Sequence, residues 1–292
     1  MASTAQLIDG KALAEKILEE LRATVMRMPR LPALAAVMIG DDRASQLFIE
    51  RKKKACARVG ITFHEYQCGN QRCLPDITAD GLNELIDWVN TDPDIDAIIV
   101  QLPVPKNFDT DALIARMNPE KDVDGFHPEN FKKFLNDTAR LTPPLILAIE
   151  AALRATGEPL DGKTAVLISK SPIFSTPLCH QLKKLGLRAE TMQPDDPQLP
   201  QATRAADVVL SIIGRKHFIT ADMLKPGAIV VDAGTTLEQT AEGKQKLFGD
   251  FHPDAQRQAG WLTPVPGGVG PLTVAMLLKN VVALAQQRQN NA

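Results

Sequence analysis

The stretch Leu262-Thr263-Pro264-Val265-Pro266-Gly267-Gly268-Val269-Gly270-Pro271-Leu272-Thr273-Val274-Ala275-Met276 joins a loop to a helix. Residues 264–270 hold two prolines and three glycines, and a helical pattern starts directly after them. Proline fixes φ and glycine permits positive φ, so this loop can hold backbone amides and carbonyls close to a flat ligand. The helix it feeds, Leu272 to Ala285, reads as long and amphipathic.

Upstream of that segment, apolar runs alternate with helical patterns, which predicts α/β layers with largely parallel strands. In the first half, strands are expected at Ala33–Ile39, Ile61–Tyr66 and Ile95–Val100. Helices are expected after Asp9-Gly10 and at Arg43–Val59, Ala79–Val89 and Asp109–Met117. A further helix follows Pro143-Pro144 and runs to about Thr156. A second series places strands at Thr164–Ile168, Arg188–Met192, Val208–Ile212 and Ala228–Asp232, with a helix around Pro177–Leu185 and a loop over Pro194–Pro200. The domain boundary falls near residues 140–148. Residues 1–144 with 272–292 are expected to form one α/β domain and 145–271 a Rossmann-like parallel-sheet domain, with a cleft between them.

The chain of 292 residues is 44% hydrophobic and 23% charged, and its formal net charge is −2. That balance gives no reason to expect nucleic acid or an anionic membrane as a partner. No basic-then-apolar leader is visible, and no apolar run is read as a membrane span, so a cytoplasmic protein is expected. Of Cys56, Cys68, Cys73 and Cys179, no pair completes a zinc pattern with a second pair or a histidine. Free thiols and no metal are expected, with Cys56 a small core residue.

Three sets of side chains in the first half carry chemistry. Phe48 and Lys52 are four apart on the Arg43–Val59 helix and share a face, with Ser45 one turn earlier and Asp42 as the N-cap candidate. An aromatic one turn from a lysine can stack on a flat ring and present an amine to it. Taken alone, Arg51-Lys52-Lys53-Lys54 reads as a solvated basic face. Gln101 stands at the carboxyl end of a strand, where ligands gather in open α/β sheets, although beside Pro103 and Pro105 it also reads as a turn residue. Lys121-Asp122-Val123-Asp124-Gly125-Phe126 offers two carboxylates before a glycine and lacks the further ligands of a calcium loop.

These stretches, together with Asp9-Gly10-Lys11, Val100-Gln101-Leu102-Pro103-Val104-Pro105, Lys225-Pro226-Gly227-Ala228-Ile229-Val230-Val231-Asp232 and the Pro-Gly segment, resemble the bifunctional methylenetetrahydrofolate dehydrogenase/methenyltetrahydrofolate cyclohydrolase family in collinear order. The resemblance implies a folate site with Lys52 acting in the chemistry, Gln101 supporting it and Asp124 binding the pterin. Phe48 takes the place of the family's tyrosine, keeping the ring and losing the hydroxyl. Pro266, Gly267, Gly268 and Val269 would lie over the bound folate. It also implies homodimers formed through the Rossmann-like domain, and NADP or NAD as cofactor with a tetrahydrofolate derivative as substrate.

The nucleotide half departs from the family pattern. Where the family has Gly-Arg-Ser-x-x-Val-Gly-x-Pro, this chain has Ser169-Lys170-Ser171-Pro172-Ile173-Phe174-Ser175-Thr176-Pro177. Each serine adds a Cβ where backbone should approach pyrophosphate. The loop after the second strand reads Gln193-Pro194-Asp195-Asp196-Pro197, and Gly-Ile-Asn becomes Gly234-Thr235-Thr236. The resemblance places cofactor contacts at Ser169, Lys170, Ser171, Gly234, Thr235 and Thr273. Two readings stand. In one, the hydroxyls of Ser169, Ser171 and Ser175 and Lys170 bind phosphate and Asp195 accepts a ribose hydroxyl, favouring NAD. In the other, dinucleotide binding is lost, leaving a cyclohydrolase or a folate-binding relative without turnover.

Overall fold

A computed structural model of the chain describes residues 5–69, 74, 77–239 and 245–290. In chain order the elements begin with β1 (Gln6–Leu7), α1 (Gly10–Val25), β2 (Ala33–Ile39), α2 (Arg43–Val59) and β3 (Thr62–Cys68). Next come α3 (Ala79–Thr91), β4 (Ala97–Val100), α4 (Thr110–Arg116), α5 (Pro128–Leu135) and α6 (Pro144–Arg154). The second series is β5 (Thr164–Ile168), α7 (Pro172–Lys184), β6 (Arg188–Met192), α8 (Leu199–Ala205), β7 (Val208–Ser211) and β8 (Ile229–Asp232). The hairpin β9 (Thr236–Gln239) and β10 (Gln245–Phe248), then β11 (Trp261–Leu262) and α9 (Val269–Asn290), complete it.

These elements form two units: Glu15–Pro144 with Val274–Ala292, and Met1–Ala14 with Leu145–Thr273. The first holds a parallel sheet in the order β3-β2-β4. All seven residues of β2 are buried, as befits a central parallel strand covered on both faces. Its core gathers Val37, Ile39, Leu82, Ile86, Ile98, Val100 and Leu113, and each such large aliphatic side chain contributes roughly 1.5–3 kcal/mol by leaving water. Asp96, fully buried, is held by Arg30 at 2.5 Å, by Arg288 of α9 at 3.6 Å and by the Ala33 amide at 2.9 Å.

The second unit holds a parallel sheet in the order β1-β11-β8-β7-β5-β6. From β5 the chain goes to β6 on one side and then to β7 on the other, so a topological switch point lies between β5 and β7. Residues 5–14, expected with the first domain, group with this unit, where β1 pairs with β11. Asp9-Gly10-Lys11 and the Pro-Gly segment interlock in the same unit. The Lys11 amide donates to the Gly267 carbonyl at 2.9 Å, and a Cβ on Gly10 would overlap the Gly268 carbonyl oxygen. Asp9 caps α1 by accepting from the Ala12 amide at 2.9 Å.

Several boundaries differ from the sequence reading. Helix α7 starts at Pro172 rather than Pro177, with Pro172 in the first turn, where the missing N–H costs nothing, and Pro177 inside the helix. The Pro194–Pro200 loop gives way to α8 at Leu199, and α5 and the β9–β10 hairpin have no counterpart in the expectation. Helix α9 runs 22 residues and is mostly core rather than amphipathic. By length and composition it is apolar enough to cross a membrane, but 61% of its most apolar window is buried. Cys56 and Cys179 are free thiols; Cys73 lies outside the described residues. Among the described residues no three His, Cys, Asp or Glu side chains gather as a metal site would require.

Candidate active site

Lys52, Gln101 and Asp124 come together in the first unit, each delivered by a different device. Asp42 starts α2 by accepting from the Ser45 amide at 2.7 Å, and Gly60 ends it. Along that helix Ser45, Phe48, Lys52 and Cys56 fall on one face. Gln101 follows β4 directly; its amide donates to Val37 of β2 at 2.8 Å, so the residue still belongs to the sheet. Its side-chain carbonyl accepts from Lys52 Nζ at 2.9 Å while its Nε2 donates to the Leu102 carbonyl at 2.7 Å. Ser45 Oγ donates to the same carbonyl at 3.3 Å. The glutamine therefore holds the amine by an uncharged bond and is itself fixed in orientation.

The two carboxylates of the Lys-Asp-Val-Asp-Gly stretch divide their work. Asp122 is buried and accepts from the amides of Gly125 (3.0 Å) and His127 (2.9 Å) and from Asn130 Nδ2 (3.0 Å). It is the turn acid. Asp124 makes none of these bonds and interacts electrostatically with Lys52. Asn280 of α9 fixes the loop between them by donating to the Val123 carbonyl at 3.2 Å and to Thr142 at 2.9 Å. Lys121 is structural, donating to the Val89 and Asp92 carbonyls at 3.0 and 2.7 Å.

Lys52 and Asp124 keep some surface open to solvent but are ringed by protein atoms. Desolvation pulls the Lys52 amine below its ordinary value, with the Asp124 charge opposing it. Desolvation likewise pushes Asp124 up to about 6, against the pull of Lys52 and with help from Asp122. Cys56, one turn along, is pushed to about 12 by burial and has no thiolate character at neutral pH. Phe48 is half-buried, with the Arg51 guanidinium 5.8 Å from its ring centroid.

The remaining expected site residues lie in the second unit. Pro266 is exposed, Gly267 has φ +116° and is locked by Lys11, and Gly268 and Val269 are buried. Thr273 Oγ1 donates to the Val269 carbonyl at 3.0 Å, so its hydroxyl is engaged within its own helix. Ser169 is buried, and its hydroxyl accepts from the Ser171 amide at 3.2 Å and donates to the Ser171 carbonyl at 3.3 Å, closing the loop on itself. Ser171 is the N-cap of α7 and makes no side-chain cap bond. Lys170 and Thr235 are exposed. Gly234 packs so closely on Asp250 that a Cβ there would overlap the carboxylate.

Three residues to which the sequence reading gave no role organise this end of the sheet. Arg215, after β7, makes a two-pronged ion pair with Asp195 at 2.7 and 3.1 Å. Asp250 is fully buried and accepts from Ser211 Oγ (2.6 Å) and the amides of Ile213 (2.9 Å) and Arg215 (2.8 Å). Asp232 accepts from the amides of Gly234, Asp250 and Phe251, and burial pushes its carboxyl up to about 7, with the Asp250 charge adding and the amide bonds opposing.

A half-buried lysine held by a glutamine beside a raised carboxyl is acid–base machinery, and a six-stranded parallel sheet with its switch point at β5 and β7 is a dinucleotide-type scaffold. Comparisons with known proteins agree. Residues 8–124 match the family model for the catalytic domain of tetrahydrofolate dehydrogenase/cyclohydrolase, and residues 143–289 match its NAD(P)-binding domain. The bifunctional FolD enzyme of Campylobacter jejuni is 35% identical, with 97% of this chain and 99% of that one covered and a TM-score of 0.88. The Trypanosoma brucei FolD, solved with NADP and an inhibitor, is 29% identical over 99% of both chains at a TM-score of 0.91. The bifunctional Thermoplasma acidophilum enzyme is 28% identical over 98% of this chain and 100% of that one at 0.86. This chain belongs to the tetrahydrofolate dehydrogenase/cyclohydrolase family.

Proposed function

We propose that this chain interconverts one-carbon tetrahydrofolates as a methylenetetrahydrofolate dehydrogenase and methenyltetrahydrofolate cyclohydrolase. The observation that carries the reading is the 2.9 Å bond from Lys52 Nζ to Gln101, with the Asp124 carboxyl beside that amine. In the hydrolytic step, water oxygen adds to the methenyl carbon and its proton passes to the Lys52 amine. That proton then goes to one of the two nitrogens holding the carbon; the C–N bond breaks, the hydroxyl left on the carbon releases its own proton to solvent as the formyl C=O forms, and formyl-tetrahydrofolate leaves. A lysine shifted down from its ordinary value is suited to both transfers. Asp124 accepts the paired N–H donors of the pterin edge, and Phe48 offers its ring face to the pterin.

Bound NAD or NADP supplies the hydride acceptor for the methylene carbon. Lys170, the Ser171 N-cap and the Asp195–Arg215 pair follow β5 and its two neighbours at their carboxyl ends, and their charges and donors suit a phosphorylated nucleotide. The family resemblance further supports a cytoplasmic homodimer, which light scattering on the purified protein would check as twice the chain mass.

One spectrophotometric assay tests the reading. Methylenetetrahydrofolate with NADP or NAD should yield reduced cofactor, and methenyltetrahydrofolate without nucleotide should decay faster than its spontaneous rate. Decay without reduced cofactor leaves a cyclohydrolase alone; silence in both arms overturns the enzyme reading.

The Asp124 shift gives a pH dependence. Only the ionised carboxylate accepts two pterin N–H bonds, so kcat/KM for methenyl hydrolysis should fall as pH drops through about 6. The loss should be mainly in KM. Asp124→Asn should have a higher KM throughout and lack that limb; a limb that survives in Asp124→Asn assigns it to another group.

A further inference from the structure

Three charged side chains meet at the carboxyl ends of three adjacent strands in the second unit: Lys170 after β5, Asp195 after β6 and Arg215 after β7. The two terminal nitrogens of Arg215 are committed to the two oxygens of Asp195, at 2.7 and 3.1 Å. The guanidinium lies 5.3 Å from the Phe218 ring centroid, and buried Asp250 holds the Arg215 amide at 2.8 Å. Arginine is thus pinned from both ends. The Asp195 side chain is 77% exposed, so it keeps lone pairs directed away from its partner. Arg215 and, more weakly, Lys170 hold this carboxyl below the ordinary range, so it stays an anionic acceptor across the working pH range.

An ion pair this exposed contributes little to stability, and its place in the fold gives it another use. In parallel-sheet dinucleotide sites, an acid after the second strand accepts from a free ribose 2′-hydroxyl, whereas an uncommitted arginine there holds a 2′-phosphate. Here the arginine is committed to the acid, and the acid, though paired, keeps exposed lone pairs.

We propose that Asp195, positioned by Arg215, selects a dinucleotide with an unphosphorylated adenosine ribose, so that this enzyme uses NAD in preference to NADP. A 2′-phosphate would have to break the two-pronged pair and sit against the released carboxylate. Asp196 is turned toward its own loop, its Oδ1 accepting from the Gln198 amide at 2.8 Å. The inference rests on the dehydrogenase half of the proposed function.

Calorimetric titration of the full chain with NAD and with NADP, in parallel with dehydrogenase turnover, tests it. NAD should bind at least about tenfold more tightly than NADP. Asp195→Ser should weaken NAD and strengthen NADP, changing the ratio of dissociation constants by at least about tenfold. Arg215→Gln should weaken NAD severalfold and leave NADP no tighter, and Arg215→Lys should recover part of the NAD affinity. Thermal melting of each variant confirms that it is folded. Equal or tighter NADP binding by the parent chain overturns the selector and leaves the dehydrogenase standing. A selective loss of NADP in Arg215→Gln also overturns it, since the arginine would then be a phosphate ligand. Binding of neither nucleotide overturns both proposals.

Discussion

Lys52→Ala should lower methenyltetrahydrofolate hydrolysis by about 100-fold or more, the range in which a positioned acid–base group acts, with a much smaller change in folate affinity. Lys52 donates to Gln101 and offsets the charge of Asp124; the separate link from Ser45 of α2 to the Leu102 carbonyl stays in place without it. The fold should therefore survive, and the residual rate should approach that of free methenyltetrahydrofolate. Asp124 loses its opposing charge in this variant, so its carboxyl should titrate higher than about 6 and the acid limb of folate binding should move up with it. Gln101→Ala should act in the same direction and less severely. It frees the amine without removing it, and the double variant should be no worse than Lys52→Ala. A Lys52→Ala enzyme that turns over within a fewfold of the parent would overturn the assignment of the lysine as the proton carrier.

Much of this site was legible because its parts are local. The Phe48–Lys52 spacing needs only a helix, and Gln101 needs only a strand followed by prolines that must leave the sheet. What could not be read was how the acids divide. Asp122 and Asp124 are two apart with the same neighbours, and only the fold shows that Asp122 is occupied by Gly125, His127 and Asn130 while Asp124 faces Lys52. The family resemblance singled out Asp124; composition and spacing did not. Helix α5 was missed although Pro128 and Glu129 after His127 form a readable start, with proline in the first turn and an acid beside it.

In the nucleotide half, Asp195 and Asp196 stand side by side and look alike in the sequence. The structure pairs one of them with an arginine twenty residues away and turns the other onto its own loop. Long-range ion pairs leave no periodic trace, so Arg215, Asp250 and Asn280 were invisible. The grouping of residues 5–14 with the second unit was invisible for the same reason: a two-residue strand pairing with β11 is decided by a partner more than two hundred residues away. The serine loop is a different case. The added side chains were read as obstruction or as phosphate ligands, whereas the Ser169 hydroxyl is taken up by the loop's own backbone.

Asp250→Ala should be the most destabilising single substitution at the nucleotide end of the molecule. The carboxylate is fully buried and serves three donors from one segment, Ser211 Oγ and the amides of Ile213 and Arg215. Removing it leaves all three without their acceptor, at a site that Gly234 lines by packing directly on the carboxylate. Each unsatisfied buried donor costs roughly 1–3 kcal/mol. Local relaxation will not recover all of it, so a loss of about 3–5 kcal/mol is expected. At about 2–4 °C per kcal/mol for a unit of this size, that is a fall in melting temperature on the order of 10 °C. Differential scanning calorimetry checks it, and the loss should fall on the transition of the unit containing β5 to β8. Asp250→Asn keeps the shape and one acceptor oxygen and should cost clearly less, while Ser211→Ala, which removes a single donor, should cost about 1 kcal/mol. If Asp250→Ala melts with the parent, the carboxylate does not organise that segment. Then the pinning of Arg215 from its backbone, on which the nucleotide preference partly depends, would have to come from its side chain alone.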